Sequence, residues 1–323
     1  MKRITILVPE GAILGSIEGP RQLFTQVNQF CLANGQKPLF QVKLVGMTKD
    51  TRISGGLYTI HTDQVLEDVD STDLVVIPAV DGDMNRALEV NRPFIPWIAQ
   101  QYEAGAEVAS LCLGAFLLAS TGLLNGRKCA THWMAARDFR RMFPEVQLIA
   151  DKVITDESRL YSSGGAYSYL NLILYLIEKY AGRDMAILCS KVFAIEIERE
   201  SQSPFIIFQG QKEHEDDAIR KAQDFIEAHF QDRLTVDQLA DQFSLGRRSF
   251  ERRFKKATNN TVSEYIQRVK VEAAKKGFEI SRKNIHEVMY DVGYTDIKAF
   301  RAIFKKTTGL SPVEYRNKYQ KMA

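Results

Sequence analysis

What this 323-residue chain lacks narrows its identity before any motif is read. Its 4 cysteines stand far apart, at positions 31, 112, 129 and 189, with no CxxC pair, so neither a disulfide framework nor a zinc site is indicated. That usage fits a reduced, cytoplasmic setting. No uninterrupted apolar run approaches the ~18 residues of a membrane span, and Ile4 to Val8 behind Met1-Lys2-Arg3 is too short for a signal peptide. A membrane partner is therefore not expected. The chain also lacks a large net charge, at +3, but the balance conceals an asymmetry. Residues 218–323 hold 22 Lys and Arg against 13 Asp and Glu, a net of +9, whereas the preceding 217 residues hold 21 against 27, a net of −6. A basic C-terminal third on an acidic body is the footprint of a polyanion-binding module attached to something else.

The basic third repeats itself. At an offset of fifty residues Phe250 falls on Phe300, Phe254 on Phe304, Lys255-Lys256 on Lys305-Lys306, Thr258 on Thr308, Glu264 on Glu314 and Tyr265 on Tyr315. Each copy has an aromatic pair at i, i+4, which shares one helix face. Two lysines then suit the last helical turn, and Asn259 or Gly309 follows where a left-handed residue stops a helix. Upstream, Thr235 to Phe243 and Ile285 to Val292 read as short amphipathic helices, with tight turns at Ser244-Leu245-Gly246 and Gly293-Tyr294-Thr295. Helix, short turn and basic second helix form a helix-turn-helix pattern.

Two such units joined by one long helix, about Val262 to Glu279, resemble the AraC/XylS family of bacterial transcription regulators across residues 218–320. The residues that carry the resemblance are Val292-Gly293-Tyr294, Phe300, Phe304-Lys305-Lys306, Thr308-Gly309-Leu310-Ser311-Pro312 and Tyr315-Arg316. It implies base-facing positions at Arg248, Glu251, Arg252, Ile297, Lys298 and Ala302. An arginine fork suits the O6/N7 edge of guanine, a glutamate accepts from a cytosine amino group, and Ile297 and Ala302 offer apolar contact only. Arg247, Lys255, Lys256, Arg301, Lys305 and Lys306 suit phosphates, which position the domain without reading sequence.

Ahead of this module the pattern alternates. Residues 3–9, Leu39 to Gly46, Asp73 to Ala79 and Glu107 to Cys112 read as buried strands, with Leu57 to His61 a short hairpin or edge strand. Helices are expected from Pro20 to about Asn34, over Phe94 to Ala104 and Leu113 to Thr121, from Gly165 to Tyr180 and over Asp184 to Glu196. Two extended runs fill Leu148 to Ser163. The expected fold is a doubly wound, flavodoxin-like α/β domain over 1–199, then a linker at 200–217, then an all-α domain with two helix-turn-helix units over 218–323. Within the linker, Phe205 to Phe208 is apolar enough to dock on one of the domains as a strap.

A cysteine at the carboxyl end of a buried strand, with a helix starting at the next residue, sits at the sheet rim where open α/β folds bind ligands. The nearby helix N-terminus favours thiolate over thiol. This turn resembles the nucleophile elbow of the ThiJ/PfpI superfamily, with its glutamine-amidotransferase-like fold. The run Ala109 to Ala119, with Gly122 to Arg127 and Thr131-His132-Trp133, is similar to the N-terminal domain of GlxA-type regulators, in which such a domain precedes an AraC-like one. Gly19-Pro20 and Ser163-Gly164 fit the same pattern. Two departures stand out. Ser16 holds the first-loop slot where the superfamily's enzymes carry an acid, with Glu18 two residues away, and Leu113 stands where many peptidase-like members carry a histidine. Cys112 then reads as apolar filling, as a pocket or sensing residue, or as a nucleophile. Cys112, Leu113, Ser16, His132, Ser163 and Gly164 are the candidate pocket residues.

The sequence thus indicates a DNA-binding transcription regulator whose α/β domain senses a small molecule and forms a homodimer, with RNA polymerase as a candidate partner and no cofactor or metal. The alternative is a PfpI-like, cysteine-dependent hydrolase or hydratase that carries a DNA-binding tail.

Overall fold

In the computed structural model, which describes residues 1–197 and 201–320, the chain forms two compact units, 1–202 and 203–323. Glu200, where the expected linker begins, lies outside the described residues, as does residue 199, the expected end of the first domain.

The first unit alternates strands and helices. In chain order they are β1 (Lys2–Val8), α1 (Leu14–Ala33), β2 (Phe40–Gly46), β3 (Asp50–Ile53), β4 (Tyr58–His61), β5 (Gln64–Val65), β6 (Leu74–Ile77), α2 (Met84–Val90) and α3 (Phe94–Glu103). There follow β7 (Glu107–Leu111), α4 (Ala115–Ala119), β8 (Lys128–Cys129), α5 (Ala136–Met142), β9 (Gln147–Leu148), β10 (Ile154–Glu157), β11 (Leu160–Ser163), α6 (Tyr169–Ala181) and α7 (Arg183–Val192). Seven strands make one sheet in the order β10-β11-β7-β6-β1-β2-β5, parallel at every pairing except β10 with β11. The two-residue side-chain period decides what each face meets. Leu74 and Val76 of β6 join Ile4 and Ile6 against α1, α6 and α7, while Val75 and Ile77 join Leu7 against α3 and α4. Both faces are covered, which is why these strands read as unbroken apolar runs. The separate β3–β4 pair is the hairpin expected at 57–61.

Helix α4 starts at Ala115, two residues after the expected Leu113, behind a tight turn over Cys112–Gly114, and two other starts differ by more. Helix α1 begins at Leu14, so Pro20 lies inside it and not in its first turn. The first turn is pinned to the sheet, with Ile13 N–H donating to Ala79 O at 2.9 Å and Ala79 N–H donating to Ser16 Oγ at 3.0 Å. That anchoring starts the helix early and leaves the proline to remove one internal hydrogen bond. Helix α6 begins at Tyr169, because Gly165 at φ +67° cannot be helical.

The second unit is helical: α8 (Asp217–Ala228), α9 (Val236–Gln242), α10 (Arg247–Thr258), α11 (Val262–Ile280), α12 (Ile285–Asp291), α13 (Ile297–Thr308) and α14 (Pro312–Tyr319). The sequence repeat becomes a structural repeat. The Phe250–Phe254 and Phe300–Phe304 rings are each 5.7 Å apart, and Phe254–Tyr265 at 5.3 Å matches Phe304–Tyr315 at 5.4 Å. Thr258 and Thr308 each donate back to the phenylalanine carbonyl four residues earlier, and Asn259 and Gly309 cap in the left-handed region at φ +55° and +77°. Capping boxes, Thr261 with Glu264 and Ser311 with Glu314, then start the following helices. Helix α11 serves both cores, giving Val262, Tyr265 and Val269 to one and Val271, Ala274 and Phe278 to the other.

Residues 203–216, polar and aperiodic in sequence, are packed on this helical unit. Lys275 Nζ donates to Ile206 O at 2.6 Å, Phe208 N–H donates to Glu272 at 3.1 Å, and the Phe208 ring lies 5.1 Å from Tyr265. Lys212 reaches Asp224 and Glu227, each at 2.7 Å, and Asp216 both caps α8 and pairs with Arg253 at 2.6 Å. An extended segment satisfies its backbone through side chains of its neighbours, so no periodicity marks it.

Candidate DNA-reading surface and cysteine rim

Helix α10 buries Phe250 and Phe254 and exposes Arg247, Arg248, Glu251, Arg252, Lys255 and Lys256. Arg248 and Arg252, one turn apart, project from the same exposed face. Arg247 is already paired, 2.9 Å from Asp237 and 3.7 Å from Glu251, so a phosphate would have to compete with two carboxylates for it. Lys255 donates to Asn259 O at 3.0 Å at the helix end. In α13, Lys298, Arg301, Ala302, Lys305 and Lys306 are exposed. Ile297 departs from expectation, for it is half-buried against the second core. At the first position of the helix its branched side chain packs against the second core instead of standing free. Asp296 caps α13 by accepting from Lys298 N–H and Ala299 N–H.

The cysteine rim is built by the crossover from β7 to α4. Cys112 takes a left-handed backbone, φ +52°, which is strained for a residue with a Cβ and turns the chain sharply off the strand. Its N–H donates to Ser163 Oγ at 3.3 Å, and its carbonyl accepts from Thr131 Oγ1 at 3.0 Å. Gly114 lets α4 lie on the end of β6, since a Cβ there would stand 2.6 Å from both Ile77 O and Pro78 O. The expectation of a thiolate fails. Cys112 is 4% exposed, and burial pushes its thiol up to about 12, outweighing the pull of the Leu113 N–H.

The surrounding candidates separate in role. Ser16 is buried and fully engaged, donating to Ile13 O at 2.7 Å while accepting from Ala79 N–H. Glu18 turns to its own helix, pairing with Arg21 at 2.6 Å, and that bond first of all holds its carboxyl below the usual range. Leu113 is half-buried in the core that contains α4. His132 caps the turn after it by accepting from Met134 N–H at 3.2 Å and stacks on Trp133, while burial lowers its pKa. Among the described residues no hydrogen bond joins His132 to Cys112. Ser163 accepts from the Cys112 N–H, while the Leu113 N–H meets the thiol, and Gly164 follows Ser163. Thr131, whose hydroxyl holds the Cys112 carbonyl, belongs to the run that carries the resemblance but not to the candidate pocket residues, because nothing local to 128–131 signals that contact.

Geometry therefore defines a class: an open α/β domain with a nucleophile-elbow turn, followed by a paired helix-turn-helix module. Residues 29–179 match the DJ-1/PfpI family, and residues 239–318 match a helix-turn-helix domain family. The chain joins a DJ-1/PfpI domain to an AraC-type helix-turn-helix domain. It is 25% identical over 245 residues to the HTH-type transcriptional regulator GbdR of Pseudomonas aeruginosa, covering 74% of this chain and 66% of that one. To the HTH-type transcriptional regulator ArgR of the same organism it is 27% identical over 221 residues, covering 68% and 67%. The chain thus spans about two thirds of these relatives' length. A crystal structure of an AraC family transcriptional regulator from Pseudomonas putida shares the fold over 60% of this chain and 100% of that one, with a TM-score of 0.51 at 15% identity. Among the described residues no helix is long and apolar enough to cross a membrane.

Proposed function

We propose that this protein is a sequence-specific DNA-binding transcription regulator that reads DNA with α10 and α13 and takes a small-molecule effector at the cysteine rim of its α/β domain, which also forms the homodimer. The observation that carries the DNA reading is the structural duplication around α11, with an exposed cationic face on both α10 and α13 and aromatic anchors behind each. Helix α11 has 19 residues, a length of about 28 Å. That length suits two reading helices set about one duplex turn, ~34 Å, apart, so one protomer covers two neighbouring major-groove segments. Arg252→Ala should then cost about 1–3 kcal/mol on the preferred site and flatten preference at one base position, whereas Lys306→Ala should weaken all duplexes alike and lower the salt slope by about one. Footprinting and salt-dependent titrations on a selected site measure both. Protection of a single groove segment, or an Arg252→Ala effect equal on random DNA, would overturn the assignment.

The rim supports sensing and not turnover. Catalysis by a thiol needs a proton-handling partner in hydrogen-bond reach, and Ser16, Glu18 and Leu113 do not provide one. With the thiol held near 12, its neutral form dominates at neutral pH. Alkylation of Cys112 by iodoacetamide should therefore climb about tenfold per pH unit from 7 past 10 without levelling, unlike an ordinary thiol, which levels near its pKa of about 8.5. A plateau near pH 8, or turnover of peptide, glyoxal or isocyanide substrates that disappears in Cys112→Ser, would favour the hydrolase or hydratase alternative.

A further inference from the structure

Gln202 is the last residue of the α/β unit, and it is 1% exposed. Its amide nitrogen points at three backbone carbonyls: Ala150 O at 2.8 Å, Thr131 O at 3.0 Å and Lys152 O at 3.2 Å. Three acceptors around one atom fix which end of the amide is nitrogen. The oxygen faces the other way and, among the described residues, is a buried acceptor with no protein partner. Such an atom in a native fold calls for a donor. A glycine makes the seat: a Cβ on Gly164 would stand 2.1 Å from Gln202 Nε2 and 2.7 Å from Lys152 O.

This seat adjoins the elbow on both sides. Thr131 accepts from Gln202 through its carbonyl and donates to Cys112 O through its hydroxyl. Ser163, next to Gly164, accepts from Cys112 N–H. The Gln202 backbone is itself clamped, its N–H donating to Asp151 O at 2.8 Å while Lys152 bridges Ser201. One peptide bond later, Ser203 opens the short turn Ser203–Phe205, which in the helical unit lies against α13, with Ser203 beside its cap Gly309.

We propose that Gln202 Oε1 is the acceptor that holds a small molecule bearing N–H donors at the cysteine rim, and that Gln202, joined directly to the segment braced on α13, transmits that occupancy to DNA binding. The assignment rests on the reading of the rim as the effector site. It favours amines, guanidines and amides over carboxylates, because the unspent group in this seat is an acceptor.

The test uses the full chain, iodoacetamide labelling of Cys112 read by mass spectrometry at pH 9, and operator binding read by anisotropy. Methylguanidinium chloride is the donor probe and sodium acetate the acceptor-only control. In wild type, saturating methylguanidinium should slow labelling and shift the operator Kd, each by about fivefold or more, and acetate should do neither. In Gln202→Leu both effects should vanish. Should that variant fail to fold, Gln202→Met, which fills a similar volume without an acceptor oxygen or a charge, must likewise lose the protection. Equal protection in wild type and Gln202→Leu would overturn the Gln202 assignment while leaving the rim as effector site. Protection by acetate alone would overturn the donor chemistry. If neither probe protects Cys112 or alters Kd, a water molecule satisfies Oε1, and the Gln202 assignment falls. The rim reading is judged separately, by whether carboxamidomethylation of Cys112 itself changes the operator Kd.

Discussion

Phe304→Ala is expected to unfold the second helix-turn-helix unit and shrink the DNA footprint to the segment covered by the first. Phe304 is fully buried, and its ring meets Phe278 and Phe300, each at 5.7 Å, and Tyr315 at 5.4 Å. Three different helices are therefore joined through one side chain. Removing a buried phenylalanine ring typically costs about 3–5 kcal/mol, against a total of about 5–15 kcal/mol for an entire domain. The core around Phe304 is small, so little remains to hold α12, α13 and α14 once the ring is gone. The first core, around Phe254, contains none of these residues apart from Phe230, which packs at the edge of both. Circular dichroism melts should show an early helical transition that is absent in wild type, with the α/β unit melting as before. If Phe304→Ala instead weakened both footprint segments equally, the two units would be one cooperative body and the modular reading would fail.

Much of this organisation was legible in the sequence because its signals are local. The offset-fifty repeat foretold paired helices, their aromatic anchors and their left-handed caps, since each depends on residues within a few turns of one another. Buried parallel strands announced themselves as β-branched runs because both sheet faces are covered. What stayed hidden depends on distant partners. Helix α1 starts ahead of Pro20 because Ile13 and Ser16 bond to Ala79, some sixty residues away. Ile297 looked outward by helical phase, yet being first in α13 it leans onto the core. The thiolate expected at Cys112 followed from a helix N-terminus, and the short, buried turn there desolvates the sulfur more strongly than backbone dipoles stabilise its charge. Gln202 carried no signal whatever, because its seat is assembled from residues 131, 150, 152 and 164.

Lys275→Met should loosen the strap, and its effect should be large for a single charge. Lys275 and Glu272 lie one turn apart on α11, and their side chains are only 5% and 14% exposed, with 2.9 Å between Nζ and the carboxylate. Each also holds the strap, Lys275 through Ile206 O and Glu272 through Phe208 N–H. Methionine matches the lysine stem in length but leaves the Glu272 carboxylate with its strap N–H alone. Removing one partner of a buried pair costs about 3–5 kcal/mol, mostly because the other charge stays uncompensated. Adding Glu272→Leu removes that charge, and the double variant should recover much of the loss while the strap stays unbraced. Two readouts then separate. Stability, from denaturant melts of the full chain, should fall in Lys275→Met and rise again in the double variant. Chymotrypsin cleavage after Phe205 or Phe208 should be faster in both, because both lose the bond to Ile206 O and the double variant also loses the bond from Phe208 N–H. A single variant that loses under about 1 kcal/mol, with cleavage unchanged, would mean that the Phe208 ring against Tyr265 holds the strap and the ion pair is incidental.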